Sequence, residues 1–134
     1  MSLGINKSVE YVGNVCGIFN PFSICEEKNI SINYIDVERP LGDTVYDDEE
    51  PVILLADSIR ESSQRYFVCA HELGHVMMHT EIQGYYIVNN RTHGKMEVEA
   101  DHFAFALCQK LFEEDFGYPA KNLDQLKKFY GIMF

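Results

Sequence analysis

The stretch HELGHVMMH, residues 71–79, carries histidines at 71, 75 and 79, with Glu72 directly after the first. On a helix, residues four apart lie one turn apart on the same face, so His71 and His75 can aim imidazole nitrogens at one ion. Zinc–nitrogen bonds of about 2.0–2.1 Å set the reach required. Glu72 is rotated by about 100° from His71 and is poorly placed to ligate. Its carboxylate can instead accept a proton from a water at the metal and later deliver it to a leaving amine. Two ligands and a general base for hydrolysis therefore fall within residues 71–75.

So short a motif also arises by chance, and a catalytic zinc ordinarily takes three protein ligands with one position left open. His79 is one turn further along, but nitrogens on three successive turns spread over about 12 Å of helix axis and do not converge. No glycine follows His75 to turn the chain, as HExxHxxGxxH requires. The better source is KMEVEADHFAFAL, in which Glu97 and Asp101 are four apart and share a helix face. Glu97 can supply a carboxylate ligand. Asp101 can hydrogen-bond the distal nitrogen of a ligating histidine and fix its tautomer. Glu99 points about 200° away from Glu97 and is the alternative third ligand. Two imidazoles and a carboxylate suit one Zn2+ per chain, with manganese or iron able to substitute. Tyr85, Tyr86, His93 and His102 are available as oxyanion donors, and no spacing rule selects one.

These side chains need elements to hold them. Ser58–Glu61 fits the Ser-x-x-Glu capping box, with Ser62 or Ser63 as alternative caps, ahead of a helix over about 61–79. Phe67, Ala70, Leu73, Gly74 and Met77 step along one of its faces. A second helix over about 95–112 turns Phe103, Ala106, Leu107 and Cys108 inward. Upstream, Val9, Val12, Val15, Cys16 and Phe19 have helical spacing, and Asn20-Pro21 caps and opens another helical turn, placing N-terminal helices at about 8–28. ISINYIDVE alternates as a strand, with Ile30, Ile32 and Tyr34 on one side. Thr44–Tyr46 and Val52–Ala56 flank Asp47-Asp48-Glu49-Glu50 and predict a hairpin with a solvated acidic tip, completing a sheet over about 30–56. Asn122 caps a short last helix ending near Tyr130. The expected fold is one α+β domain over residues 1–134, a short, mostly antiparallel sheet packed against the two metal-site helices.

Composition narrows the function. The chain has 134 residues, 46% of them apolar and 24% charged, ordinary values for a globular domain. Eleven basic against twenty-one acidic side chains give a net charge of −10. Such a chain is not expected to bind nucleic acid or anionic lipid directly, since both rest on Lys/Arg neutralisation, but a partner that itself binds DNA is compatible with it. Apolar runs such as Pro51–Ala56 are too short to span a bilayer, and MSLGINKSVEYVG lacks the pattern of a secretory signal, so a cytoplasmic protein is expected. Cys16, Cys25, Cys69 and Cys108 are widely spaced without a CxxC pair and read as buried free thiols.

RYFVCAHELGHVMMH followed by ExEADxFAxxL resembles the ImmA/IrrE zinc metallopeptidases of bacteria, phages and mobile elements. VILLADSIRESSQRYFVCAHELGH repeats their order of strand, polar turn and metal helix. The likeness covers about residues 5–112 and is most specific over 51–108. It implies a zincin-like domain with a gluzincin-like site, in which His71, His75 and Glu97 ligate zinc, Glu72 is the base, and Asp101 stands where the family has Asn or Asp. It further implies an endopeptidase that cleaves a DNA-binding repressor or similar regulator and so releases transcription. The alternative is a zinc-bearing binding module that regulates a repressor or toxin by occupancy. In the peptidase reading, Val52, Ile53, Leu54, Leu55 and Ala56 form an exposed strand against which an extended substrate pairs.

Overall fold

The computed structural model describes residues 17–79 and 90–132, with backbone alone at 79 and 90–93. The elements run as helix α1 (Pro21–Glu27), strands β1 (Ser31–Ile35), β2 (Gly42–Asp47) and β3 (Glu50–Ala56), a 3-10 turn (Asp57–Ile59), then helices α2 (Gln64–His79), α3 (Asn90–Phe116) and α4 (Leu123–Tyr130). The fold is α+β. Asn20 starts α1 as expected: its side chain accepts hydrogen bonds from the Phe22 and Ser23 amides at 2.9 and 3.4 Å, and Pro21 takes the first helical position. Most of the helix expected over Val9–Phe19 lies outside the described residues, while residues 17–19 are not helical.

β1 pairs with β3 in parallel, Ser31 opposite Val52 through Ile35 opposite Ala56. β2 pairs with β3 antiparallel, from Gly42 opposite Leu55 to Asp47 opposite Glu50, which makes the strand order β1-β3-β2. The sheet is thus mixed rather than mostly antiparallel, because β3 returns from the hairpin and slots between β2 and β1. This corrects the expectation for Val52–Ala56. They form the central strand, with a neighbour on each side, and offer no edge to a substrate. EPVILLA is the most continuous apolar run of the three strands; Ile53, Leu55 and Ala56 are buried, while Val52 and Leu54 are half-buried. The acidic hairpin tip is as expected: Asp48 and Glu49 form its two-residue turn, at φ 50° and 69°.

Ser58 does not begin α2. Residues Asp57–Ile59 form the 3-10 turn instead, with Arg60 paired to Asp57 at 2.8 Å, and the Ser62 hydroxyl accepts from the Gln64 amide at 3.1 Å. α3 extends beyond both ends of the expected 95–112 and buries Met96, Ala100, Phe103, Ala104, Leu107 and Cys108, at helical spacing. α4 is capped by Asn122, whose side chain accepts from the Gln125 amide at 3.1 Å, and it packs through Leu126 and Tyr130. The Tyr130 hydroxyl donates to Asp115 at 2.8 Å, tying α4 back to α3. Cys25, Cys69 and Cys108 are free and buried; burial pushes the Cys108 thiol up to about 12, so it stays protonated. No described helix is long and apolar enough to cross a membrane.

The sheet and α3 enclose α2, whose Phe67, Ala70 and Leu73 are buried. At Gly74 the two long helices come close enough that an added Cβ would stand 3.0 Å from Phe103 Cδ1 and 3.3 Å from its Cβ. Gly74→Val should therefore overpack this contact by about 1–3 kcal/mol. Thermal unfolding should show a Tm lower by about 3–10 °C, with weaker metal retention because the helices that carry the site are wedged apart.

Candidate metal centre

His71 and His75 project from α2 one turn apart, and Glu97 projects from α3 between them. Glu97 Oε2 lies 2.9 Å from His71 Nε2, and Oε1 lies 2.9 Å from His75 Nε2. One ligand atom from each of the three residues falls within 4.8 Å of the others. That spacing and donor set fit a single ion bonded at about 2.0–2.2 Å to two imidazoles and a carboxylate, the ligand choice of catalytic zinc sites. Glu97, not Glu99, is the carboxylate in this group. Asp101, one turn beyond Glu97, has Oδ1 at 2.8 Å from His71 Nδ1 and so orients that ring from behind.

Glu72 faces the same cluster from its other side. It is only 6% exposed, and its Oε2 stands 4.0 Å from His71 Nε2. Oε1 points away and accepts a hydrogen bond from the Thr44 hydroxyl of β2 at 2.7 Å. Burial raises the Glu72 pKa above the ordinary value, against the Thr44 hydrogen bond and the charges of His71 and His75, which lower it. Glu97 is held well below the usual carboxylate range by its hydrogen bonds with His71 and His75. Burial pulls His71 down, but the Glu97 hydrogen bond and the charges of Glu72, Glu97 and Asp101 outweigh it and leave the value raised.

Among the described residues, the remaining candidates do not join the cluster. His102 is exposed, and Val52–Ala56 form the middle strand of the sheet. Tyr85 and Tyr86, and the side chains of His79 and His93, lie outside the described residues. Two participants escape a reading of the sequence. Thr44 is 28 residues from Glu72 and meets it only through the packing of β2 on α2. Gly42, the preceding inward position of β2, permits that packing: a Cβ there would overlap Val68 Cγ1 and stand 3.2 Å from Glu72 Cγ and Oε2. The alternation of β2 places both on one face, yet nothing local says which helix that face meets.

A histidine pair one helical turn apart, a carboxylate from a second helix and a buried glutamate beside the first histidine, all under a small mixed sheet, form a zincin-like arrangement. Residues 25–132 match the family model of the IrrE N-terminal-like domain, Peptidase_M78, and the chain belongs to that family. Metallopeptidase ImmA of Bacillus subtilis (strain 168) is 31% identical over 137 aligned positions, which cover 98% of this chain and 80% of that protein.

The charges predict a pH response of the metal-free protein. The raised His71 value means that its contribution to stability is complete below its ordinary 6.5 and is lost as pH rises through the folded value. Glu72 and Glu97 shift in opposite senses and oppose each other near 4.5, so the loss above 6.5 is the clear signal. Urea midpoints of chelator-treated protein should therefore fall as pH rises above 6.5. In Asp101→Asn, which removes one charge that favours the imidazolium, the fall should still begin near 6.5 but be smaller and end at lower pH.

Proposed function

We propose that the protein is a zinc-dependent endopeptidase, with His71, His75 and Glu97 holding one Zn2+ and Glu72 as general base. The observation that carries this is the convergence of Glu97 on both histidines, with a Glu72 oxygen 4.0 Å from the same His71 nitrogen. When bound, the ion supplies polarisation of the scissile carbonyl and acidification of a water. Glu72 takes the proton of the attacking water at Oε2 and returns it to the leaving amine. A carboxylate whose proton affinity is raised by burial is better matched to that transfer than an exposed one. Asp101 holds Nδ1 of His71 and so turns Nε2 toward Glu97, leaving Nε2 as the nitrogen that would ligate the ion.

Among the described residues, β2 is the sheet edge beside this site and has no further strand on it. The bond from the Ala56 amide to the Leu41 carbonyl, carried along the antiparallel register, turns the main-chain groups of Asp43, Val45 and Asp47 toward β3. Those of Gly42, Thr44 and Tyr46 turn outward, and Pro51, which has no amide, lies opposite Tyr46 as this phase requires. An extended substrate can add there as a further strand. The Thr44 amide already donates to its neighbour Asp43 Oδ1 at 2.9 Å, so pairing at that point exchanges one acceptor for another. A DNA-binding repressor or similar regulator is the proposed substrate: its basic surface would complement a net charge of −10.

The test measures zinc content and cleavage of a candidate DNA-binding repressor from the same genome. Wild type should hold one zinc per chain, and Glu97→Gln should lose most of it under identical purification. Glu72→Gln should keep the zinc while cleavage falls by about 10²–10⁴-fold. Cleavage that survives in Glu72→Gln would refute the assigned base. Regulation that survives without cleavage would favour the binding-module alternative. Tyr46→Pro, which deletes an outward amide but no bond to β3, should slow cleavage with little change in Tm; unchanged cleavage would move the substrate off β2.

A further inference from the structure

We infer that Thr44 is the positioning residue for Glu72, its hydroxyl fixing which carboxylate oxygen the base turns toward the metal-binding cluster; the inference rests on the peptidase reading above. Glu72 is a buried carboxylate, and a charge taken out of water needs a donor. Thr44 Oγ1 supplies one at 2.7 Å, a well-formed O–H···O distance. The terminal torsion of a glutamate is broad and two-fold, so backbone and χ1 alone do not decide which oxygen points where. With Oε1 engaged by Thr44, Oε2 is the oxygen left 4.0 Å from His71 Nε2. The two oxygens have different tasks because a strand hydroxyl separates them.

The strand side of the site is shaped for this contact. Gly42, Thr44 and Tyr46 are the inward positions of β2, while Asp43, Val45 and Asp47 are exposed. Gly42 leaves the space in which the Glu72 carboxylate lies, since a Cβ there would come within 3.2 Å of Oε2. Thr44 then holds the base with its side chain and presents its main chain to the open edge. A peptide paired at that edge is thereby placed in register with the base through a single residue. If Thr44 were present only as a β-branched strand former, valine would serve equally well.

Thr44→Val keeps the shape and removes the hydroxyl, and Thr44→Ser keeps the hydroxyl. A pooled library of internally quenched peptides, offered to the zinc-loaded full chain, identifies a cleaved member for kinetics. Thr44→Val should lower its kcat by about 10–100-fold with KM within about twofold, and Thr44→Ser should stay within about threefold of wild type, as loss of an orienting contact predicts. Zinc content should be one per chain in all three. In the zinc-free chain, Thr44→Val should lower Tm by about 3–6 °C in the wild-type background and by under about 1 °C in the Glu72→Leu background. Equal Tm losses in both backgrounds, or an unchanged kcat in Thr44→Val, would overturn the inference while leaving the peptidase reading intact. If zinc-loaded wild type cleaves no member of the library although the Tm coupling is present, the peptidase reading fails and the positioning role falls with it.

Discussion

The close approach of α2 and α3 is the constraint on which the site depends. A glycine inside a helix costs about 1 kcal/mol relative to alanine. Gly74 is tolerated because Phe103 lies directly over it, and the small Ala70, Ala100 and Ala104 are fully buried nearby. Small residues on facing helices let the backbones come together, and only at short separation can a glutamate on α3 reach nitrogens on α2. The metal-site geometry is thus a consequence of core packing. Disturbing that packing at Phe103 or Gly74 moves ligands that neither residue touches.

Electrostatics then makes the cluster incomplete without a cation. Glu97 accepts from both histidines, and His71 lies between Glu97 on one ring nitrogen and Asp101 on the other. A neutral imidazole has one N–H and can donate to only one of these carboxylates. A proton that makes it an imidazolium satisfies both, which is why the His71 pKa is raised despite burial. An ion at Nε2 satisfies the same demand from the other direction, leaving Nδ1–H for Asp101. Proton and metal therefore compete for one atom, and the carboxylates that hold the ring steady favour either occupant over none.

What was legible in the sequence was local. HExxH and the Glu97–Asp101 spacing could be read because a helix converts a separation of four residues into a shared face, with no knowledge of the rest of the fold. Asn20, Pro21 and Asn122 were legible for the same reason: a cap acts on amides two or three residues away. Ser58–Glu61 failed because a 3-10 turn used those residues first, with Arg60 and Asp57 closing it. Strand order was beyond local reading. A hairpin specifies that β2 and β3 are neighbours, but the pairing of β3 with β1 joins segments about 20 residues apart, and no local spacing specifies it. Thr44 was invisible because its partner is far away in the chain and threonine in a strand needs no special explanation.

Placing β3 in the centre leaves β2 with two roles that pull in different directions. It must remain open if a peptide is to pair there, and an open edge also invites pairing with another copy of the same chain. The side chains of β2 meet both demands by face. Inward, Gly42 and Thr44 are small enough to bring the strand onto α2 and its buried carboxylate. Outward, Asp43 and Asp47 carry charge, the turn adds Asp48 and Glu49, and Glu50 opens β3. Two such edges laid against each other bring like charges together, whereas a basic or neutral segment meets no such opposition. The acidity that disfavours self-association is the same acidity that suits a basic protein substrate, so one run of carboxylates serves both protection of the edge and choice of partner.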